Sequence, residues 1–219
     1  MAMPRIDIGG VPAPNGPSKD EVVLLAFVDD SVLSKQLIAF VKAFSQETPH
    51  VSVDIQDWAG GKNEKMRTMH VDYAPCLVLT KGDFARIKYY GVPDGYEVTP
   101  LHDAVSELYT SSPRLADSSR AALATVRRKA NIKVFVLTTC TFCPVVARHA
   151  MRAAIATKTV TTEIIDSSVF TELSQKHLVQ GVPKVILNDI SDITGAVNET
   201  TFMEKLRDAD HALIDSMYG

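Results

Sequence analysis

The feature that most constrains the fold is a pattern of strands and helices that occurs twice in the chain. In each half, a short apolar stretch typical of a buried strand is followed by a helix, a strand, a short helix, two strands and a closing helix. Alternating strands and helices favour α/β units with parallel first strands. We therefore predict an α/β protein of two tandem folds, with central mixed sheets flanked by helices.

The sequence patterns assign four strands to each half, with three helices in the first half and four in the second. In the first half, strands are predicted at 21–28, 50–56, 74–80 and 86–91, and helices at 31–46, 61–70 and 98–110. In the second half, helices are predicted at 114–130, 141–157, 168–177 and 199–217, and strands at 131–138, 160–166, 182–189 and 192–196.

Two serines and a proline between helical patterns place a domain boundary at 113/114. Residues 1–20 contain four prolines and three glycines and are predicted to form a flexible tail. The predicted domains are therefore 21–113 and 114–219. Each domain is large enough for a small core, and packing of one against the other would stabilise both.

The two halves differ at the turn between the first strand and the first long helix. The second half has Cys140-x-x-Cys143 there, whereas the first half has Ser31-x-x-Ser34. A hydroxyl has far too high a pKa to act like a thiolate, and it cannot form a disulfide. We therefore predict a redox-active site in the second fold and a degenerate copy in the first, to which Pro75 also belongs.

A cysteine at the start of a helix lies among backbone N–H groups that have no partner within the helix. These donors and the helix dipole favour a thiolate, and the first cysteine of such motifs often has a lowered pKa. Cys143 returns to nearly the same helix face one turn later. We predict that Cys140 attacks a disulfide and that Cys143 resolves the product.

A proline lies at a similar distance beyond the turn in both halves: Pro183 is 43 residues after Cys140. A cis peptide bond before Pro183 would expose the edge of Val182 to an extended peptide. We predict that Val182, Pro183 and the residues between the cysteines, Thr141 and Phe142, contact the substrate.

The segment VFVLTTCTFCPVVARHA, followed by QGVPKVILND, resembles the active site of the thioredoxin/glutaredoxin fold. The tandem arrangement over 21–219 resembles glutaredoxin-like protein disulfide oxidoreductases. It is also similar to the N-terminal domain of the alkyl hydroperoxide reductase flavoprotein. YYGVPDGYEVT, at 89–99, resembles a segment in the first fold of both. The chain departs from the first family by its Ser-x-x-Ser, and it lacks the Gly-x-Gly-x-x-Gly fingerprint of a fused flavoprotein.

The resemblance implies a thiol–disulfide oxidoreductase that reduces or exchanges protein disulfides through Cys140 and Cys143. It implies no bound cofactor and a thioredoxin-reductase-like flavoprotein as electron donor. One alternative is an electron carrier dedicated to a peroxiredoxin. Another is a non-enzymatic binding module that senses redox state through the dithiol.

In the thioredoxin family, a buried aspartate often lies six residues before the first cysteine and accepts a proton. Here that position is Val134, and Glu163 or Asp166 on the next strand are the alternative carboxylates. Arg148 and Arg152 either attract acidic partners or form the solvated edge of an apolar helix.

The cysteine pair is not expected to bind a metal, because a structural zinc site needs four ligands and the histidines show no ligand spacing. Cys76 lies within an apolar strand and is predicted to be buried and inert.

A net charge of −3 does not favour nucleic acid as a partner, and no apolar run is long enough to span a membrane. Three cysteines without a signal peptide predict a cytoplasmic protein rather than a secreted disulfide framework.

Overall fold

The computed structural model describes residues 21–58 and 64–218, with side chains up to residue 210. The predicted tail, 1–20, and the first three residues of the predicted helix 61–70 lie outside the described residues. Within the described ranges, every helix is too short or too polar to cross a membrane.

The order of elements predicted from the sequence is confirmed. The first half contains β1 (Val22–Val28), α1 (Val32–Glu47), β2 (Val51–Asp57), α2 (Glu64–Thr68), β3 (Cys76–Lys81), β4 (Phe84–Tyr90), a 3₁₀ helix (Gly95–Glu97) and α3 (Val98–Thr110). The second half contains α4 (Asp117–Leu123), β5 (Ala130–Val136), α5 (Cys143–Ala156), β6 (Val160–Asp166), α6 (Thr171–Lys176), β7 (Lys184–Leu187), β8 (Ser191–Thr194) and α7 (Glu199–Tyr218).

Helix α4 is much shorter than the helix predicted at 114–130. The Asp210 carboxylate on α7 accepts hydrogen bonds from the backbone N–H groups of Arg127 and Arg128. These N–H groups are therefore satisfied by a tertiary contact instead of a continuing helix, and the chain enters β5 at Ala130.

The strands of both halves form one continuous sheet rather than two separate sheets. Its order is β2-β1-β3-β4-β6-β5-β7-β8, so each half contributes four strands in the same arrangement. In each half the first two strands are parallel and the last two form an antiparallel hairpin. The halves join where β4 pairs in parallel with β6, with Ile87 opposite Thr162 and Tyr90 opposite Ile165.

Two cores cover the two faces of this sheet. Successive side chains of β1 point alternately into the two cores. Leu24 and Ala26 belong to the larger core, while Leu25 and Phe27 belong to the smaller one. Helices α1, α3, α5 and α7 supply the larger core, whereas Met66 of α2 packs in the smaller core. The long helices of both halves therefore lie on the same face.

Helix α3 of the first half packs against α5 of the second, and ion pairs join the two helices. Arg152 donates three hydrogen bonds to Glu107, the shortest being 2.7 Å, and Arg148 donates to Asp103 at 2.6 Å. The Glu107 side chain is only 2% exposed. The interpretation of the two arginines as a solvated edge is therefore wrong, because both form part of the contact between the halves.

We predict that Arg152→Ala lowers the free energy of unfolding by about 3 kcal/mol, because it leaves the buried Glu107 carboxylate without its main partner. Urea denaturation measures the loss. The matched control is Arg207→Ala, whose partner Asp208 is 64% exposed, and its expected cost is below about 1 kcal/mol. Equal, small losses in the two variants would contradict a stabilising role for this contact.

Candidate functional site

Cys140 and Cys143 form a disulfide at the amino-terminal end of α5. Their Cα atoms are 5.5 Å apart, a normal separation for a disulfide. Cys143 is buried and begins the helix, whereas Cys140 is half-buried and precedes it. The helix predicted at 141–157 therefore begins two residues later, and Cys140 is the more accessible sulfur.

A backbone donor at the start of α5 points at Cys140. The N–H group of Cys143 donates to the Cys140 Sγ atom at 3.2 Å, and this donor has no acceptor within the helix itself. The same contact and the helix dipole stabilise negative charge on that sulfur after reduction.

The predicted proline lies across from this sulfur. The Val182–Pro183 peptide bond is cis, and the Val182 carbonyl oxygen lies 4.0 Å from the Cys140 Sγ atom. A groove of about 410 Å³ is lined by Val182, Leu137 and other side chains that include Ser168, Gln175 and Val179. Of the two residues between the cysteines, Thr141 is exposed and Phe142 is 65% exposed.

The serine turn of the first half has the same local geometry. Ser31 is the N-cap of α1, and its Oγ atom accepts a hydrogen bond from the N–H group of Ser34 at 3.1 Å. The Ala74–Pro75 bond is cis, like the bond before Pro183. The duplication therefore extends to the hydrogen bonds around the turn.

The serine side chains are already bonded within their own turn. Ser34 is buried and donates its hydroxyl to Asp29 at 2.5 Å, while Asp29 also accepts from the Ser31 N–H group at 3.1 Å. Hydrogen bonds from Ser31 and Ser34 lower the pKa of Asp29. This arrangement caps the helix and leaves Ser34 inaccessible to a substrate.

The two carboxylates suggested by the sequence lie on different faces of β6. Glu163 pairs with Lys88 at 3.1 Å and lines a groove away from the disulfide. Asp166 is buried on the face that carries α5, and it accepts hydrogen bonds from both the N–H and the hydroxyl of Ser168. Val134 is fully buried among apolar residues.

A third carboxylate, which the sequence interpretation missed, is completely buried near the disulfide. Glu97 ends the 3₁₀ helix, which packs against α5. The preceding residue, Tyr96, donates its N–H group to the carbonyl of Thr138 at 2.9 Å, two residues before Cys140. Glu97 also lies close enough to Arg148 on α5 for their charges to interact.

The environment of Glu97 favours its protonated form. Burial, followed by the charge of Asp166, raises the pKa of Glu97 to about 8. Neither carboxyl oxygen has a hydrogen-bond partner among the described residues. The sequence signal was present, since Glu97 falls in the segment 89–99 that resembles both families. Its proximity to the disulfide depends on how the halves pack, which local patterns do not show.

Two further titratable groups, Cys76 and His149, are buried. Cys76 is a free thiol, as predicted, and burial raises its pKa. His149 is buried against the ring of Phe202, and burial lowers its pKa. Groups of three or more metal-ligating side chains are absent from the described part of the chain. A groove of about 740 Å³ beside Glu163 contains neither cysteine of the disulfide.

Comparison with known proteins agrees with this geometry. Residues 130–208 match the family model of a thioredoxin domain. The chain therefore carries the thioredoxin fold. No curated protein sequence matches it at a significant level.

Three solved structures resemble most of the chain. The alkylhydroperoxide reductase protein AhpF from Enterococcus faecalis, as a C503A mutant, is 28% identical with a TM-score of 0.79, covering 85% of this chain and 90% of that one. The NTD_N/C domain of AhpF from the same organism is 27% identical with a TM-score of 0.78 and the same coverage. A protein disulfide oxidoreductase from Aeropyrum pernix is 20% identical with a TM-score of 0.79, covering 88% and 87%.

The tandem thioredoxin fold and the Cys140–Cys143 disulfide together support thiol–disulfide oxidoreductase chemistry as the general class. We infer that the serines of the first fold take no part in this chemistry, since they cannot form a disulfide.

We predict that Ser31→Ala/Ser34→Ala costs about 1–2 kcal/mol of stability, because α1 loses its cap and Asp29 loses its donors. Turnover of a small disulfide should remain close to wild type. Denaturation and turnover assays measure the two effects. Ser45→Ala in the same helix, where the hydroxyl is exposed, is the control and should cost less than about 0.5 kcal/mol. A large loss of turnover in the double variant would show that the serines take part in catalysis.

Proposed function

We propose that the protein is a thiol–disulfide oxidoreductase that reduces or exchanges disulfides in protein substrates. The observation that carries this proposal is the disulfide at the start of α5, with its accessible sulfur facing the cis Val182–Pro183 bond. An extended substrate bound along Val182 would present its disulfide to Cys140.

In the first step, the Cys140 thiolate attacks one sulfur of the substrate disulfide. The Cys140–substrate bond forms, the substrate disulfide breaks, and the second substrate sulfur leaves as a thiolate. The N–H group of Cys143 stabilises the attacking thiolate, as its 3.2 Å contact with the Cys140 Sγ atom indicates. The half-buried position of Cys140 supports this residue as the attacking one.

In the second step, Cys143 attacks the Cys140 sulfur and releases the other substrate sulfur as a thiol. The product is the Cys140–Cys143 disulfide that the structure contains. Cys143 is completely buried, and a buried thiol loses its proton less readily than an exposed one. The second step therefore calls for a proton acceptor near the start of α5.

Glu97 is the carboxylate best suited to accept that proton. It is buried beside α5, it has no other hydrogen-bond partner among the described residues, and its pKa of about 8 lies near neutral pH. A general base works best when its pKa is close to the working pH. Asp166 already accepts two hydrogen bonds from Ser168, and Glu163 is paired with Lys88.

Each turnover leaves the protein oxidised, so an external donor must return two electrons to the disulfide. We assign this role to a thioredoxin-reductase-like flavoprotein, which would attack the accessible Cys140 sulfur through its own dithiol. No cofactor bound to this chain is needed for either step.

A second candidate function is that of an electron carrier dedicated to a peroxiredoxin. The observation that favours it is the 28% identity to the alkylhydroperoxide reductase protein AhpF over 85% of the chain. The chemistry at Cys140 is the same in both cases, and only the substrate differs. Comparing turnover of a peroxiredoxin disulfide with turnover of insulin distinguishes the two. A non-enzymatic redox sensor would turn over neither.

We predict that Cys143→Ser accumulates mixed disulfides through Cys140, because the second step is blocked. Cys140→Ser should form no mixed disulfide and should lose disulfide reduction. Non-reducing gels and mass spectrometry of the linked peptide identify the attachment site. Equal trapping by the two variants would mean that the chain has no defined nucleophile.

We predict that Glu97→Gln slows the second step by roughly a hundredfold or more, the range expected when a general base is removed. In the wild-type protein the rate of mixed-disulfide resolution should rise as the pH passes through about 8, and the variant should lack this inflection. Stopped-flow measurements over a pH series provide both rates. Glu163→Gln is the control, and an effect in that variant alone would contradict the assignment of Glu97.

The same substitution should change how stability depends on pH. The folded protein holds the Glu97 proton up to about pH 8, whereas the unfolded chain releases it near the ordinary pKa of 4.5. The folded state therefore binds more protons between these values, and the contribution of Glu97 to stability falls as the pH rises through this window. Glu97→Gln should lack this fall, which denaturation at several pH values measures.

A further inference from the structure

A segment of the first fold lies directly on the active-site turn of the second. The Tyr96 N–H group donates to the Thr138 carbonyl at 2.9 Å. Gly95 has a φ of +56°, and a Cβ atom at this position would lie 2.5 Å from the same carbonyl oxygen. Only glycine fits this contact, and it holds Tyr96 in place beside the turn that carries Cys140.

The side chain of Tyr96 remains in solvent although its backbone is held in place. It is 53% exposed, while the next residue, Glu97, is completely buried. Two apolar side chains next to the cysteines, Phe142 and Val145, are 65% and 36% exposed. A large aromatic side chain on a fixed backbone contributes binding area at a low cost in conformational entropy.

We propose that Tyr96 forms the first-fold part of the surface that binds substrate, together with Phe142 of the second fold. This inference rests on the proposed function, because the occupant is the disulfide-bearing segment of a partner protein. The sulfur of that segment must reach Cys140, so the residues flanking the partner cystine are those that meet this surface.

The chemistry of the surface selects apolar flanking residues. Tyr96 and Phe142 offer aromatic area, and the exposed Asp94 beside Tyr96 adds a negative charge that disfavours acidic flanks. The substrate class is therefore a protein disulfide with apolar rather than acidic neighbours. A small disulfide that ends before these residues gains nothing from Tyr96.

The test uses two cystine peptides that differ only in leucine or glutamate beside the cysteines, with 2-hydroxyethyl disulfide as the small substrate. The wild-type protein should prefer the leucine peptide. Tyr96→Ala should lower kcat/KM for that peptide by about tenfold, mainly through KM, and leave the small disulfide unchanged. Tyr96→Phe keeps the ring and should behave like the wild type.

Tyr73→Ala is the matched control, since Tyr73 is a 41% exposed tyrosine of the same fold whose ring packs against Tyr90 and Phe170 instead of lying next to the cysteine turn in the chain. It should leave the preference for leucine over glutamate unchanged. An unchanged preference in Tyr96→Ala, or a loss of preference in Tyr73→Ala alone, would overturn this inference while leaving the oxidoreductase function intact. Failure of the wild-type protein to reduce any of the three disulfides would instead overturn the proposed function, and this inference with it.

Discussion

The parallel pairing of β4 with β6 is the interaction on which the rest of the structure depends. It joins two four-stranded arrangements into one sheet and brings α3 of the first half against α5 of the second. The buried pair of Glu107 and Arg152 fixes this contact, because either charge left alone in the interior would be costly. The segment that follows β4 is thereby held over the turn that carries the disulfide.

This arrangement explains how the first fold, which has serines at the cysteine positions, can still contribute residues to the site in the second fold. Both turns hold a side-chain atom against a free N–H group in the first turn of a helix, sulfur in one case and a hydroxyl in the other. The serine version is a stable cap with its own carboxylate partner. In our account, the first fold contributes Glu97 as a proton acceptor and Tyr96 as a contact for substrate.

The sequence predicts most of this fold because its signals are local. Apolar periodicity located every strand of the described residues, and the Cys-x-x-Cys and the downstream proline predicted two parts that the structure brings together as a candidate site. The predictions that failed concern residues with tertiary contacts. Helix α4 ends earlier than predicted, and Asp210 accepts hydrogen bonds from backbone N–H groups that follow it. Arg152 forms an ion pair across the halves instead of facing water. Glu97 was missed for the same reason, since it lies more than 40 residues before Cys140 in the chain.

We propose that the reactive chemistry resides in one sulfur, made accessible and stabilised by its position ahead of α5. Site-resolved alkylation of the reduced protein at neutral pH tests this directly. We expect that Cys140 reacts first and that Cys76, which is buried with a raised pKa, reacts most slowly. Alkylation of Cys76 or Cys143 ahead of Cys140 would contradict it.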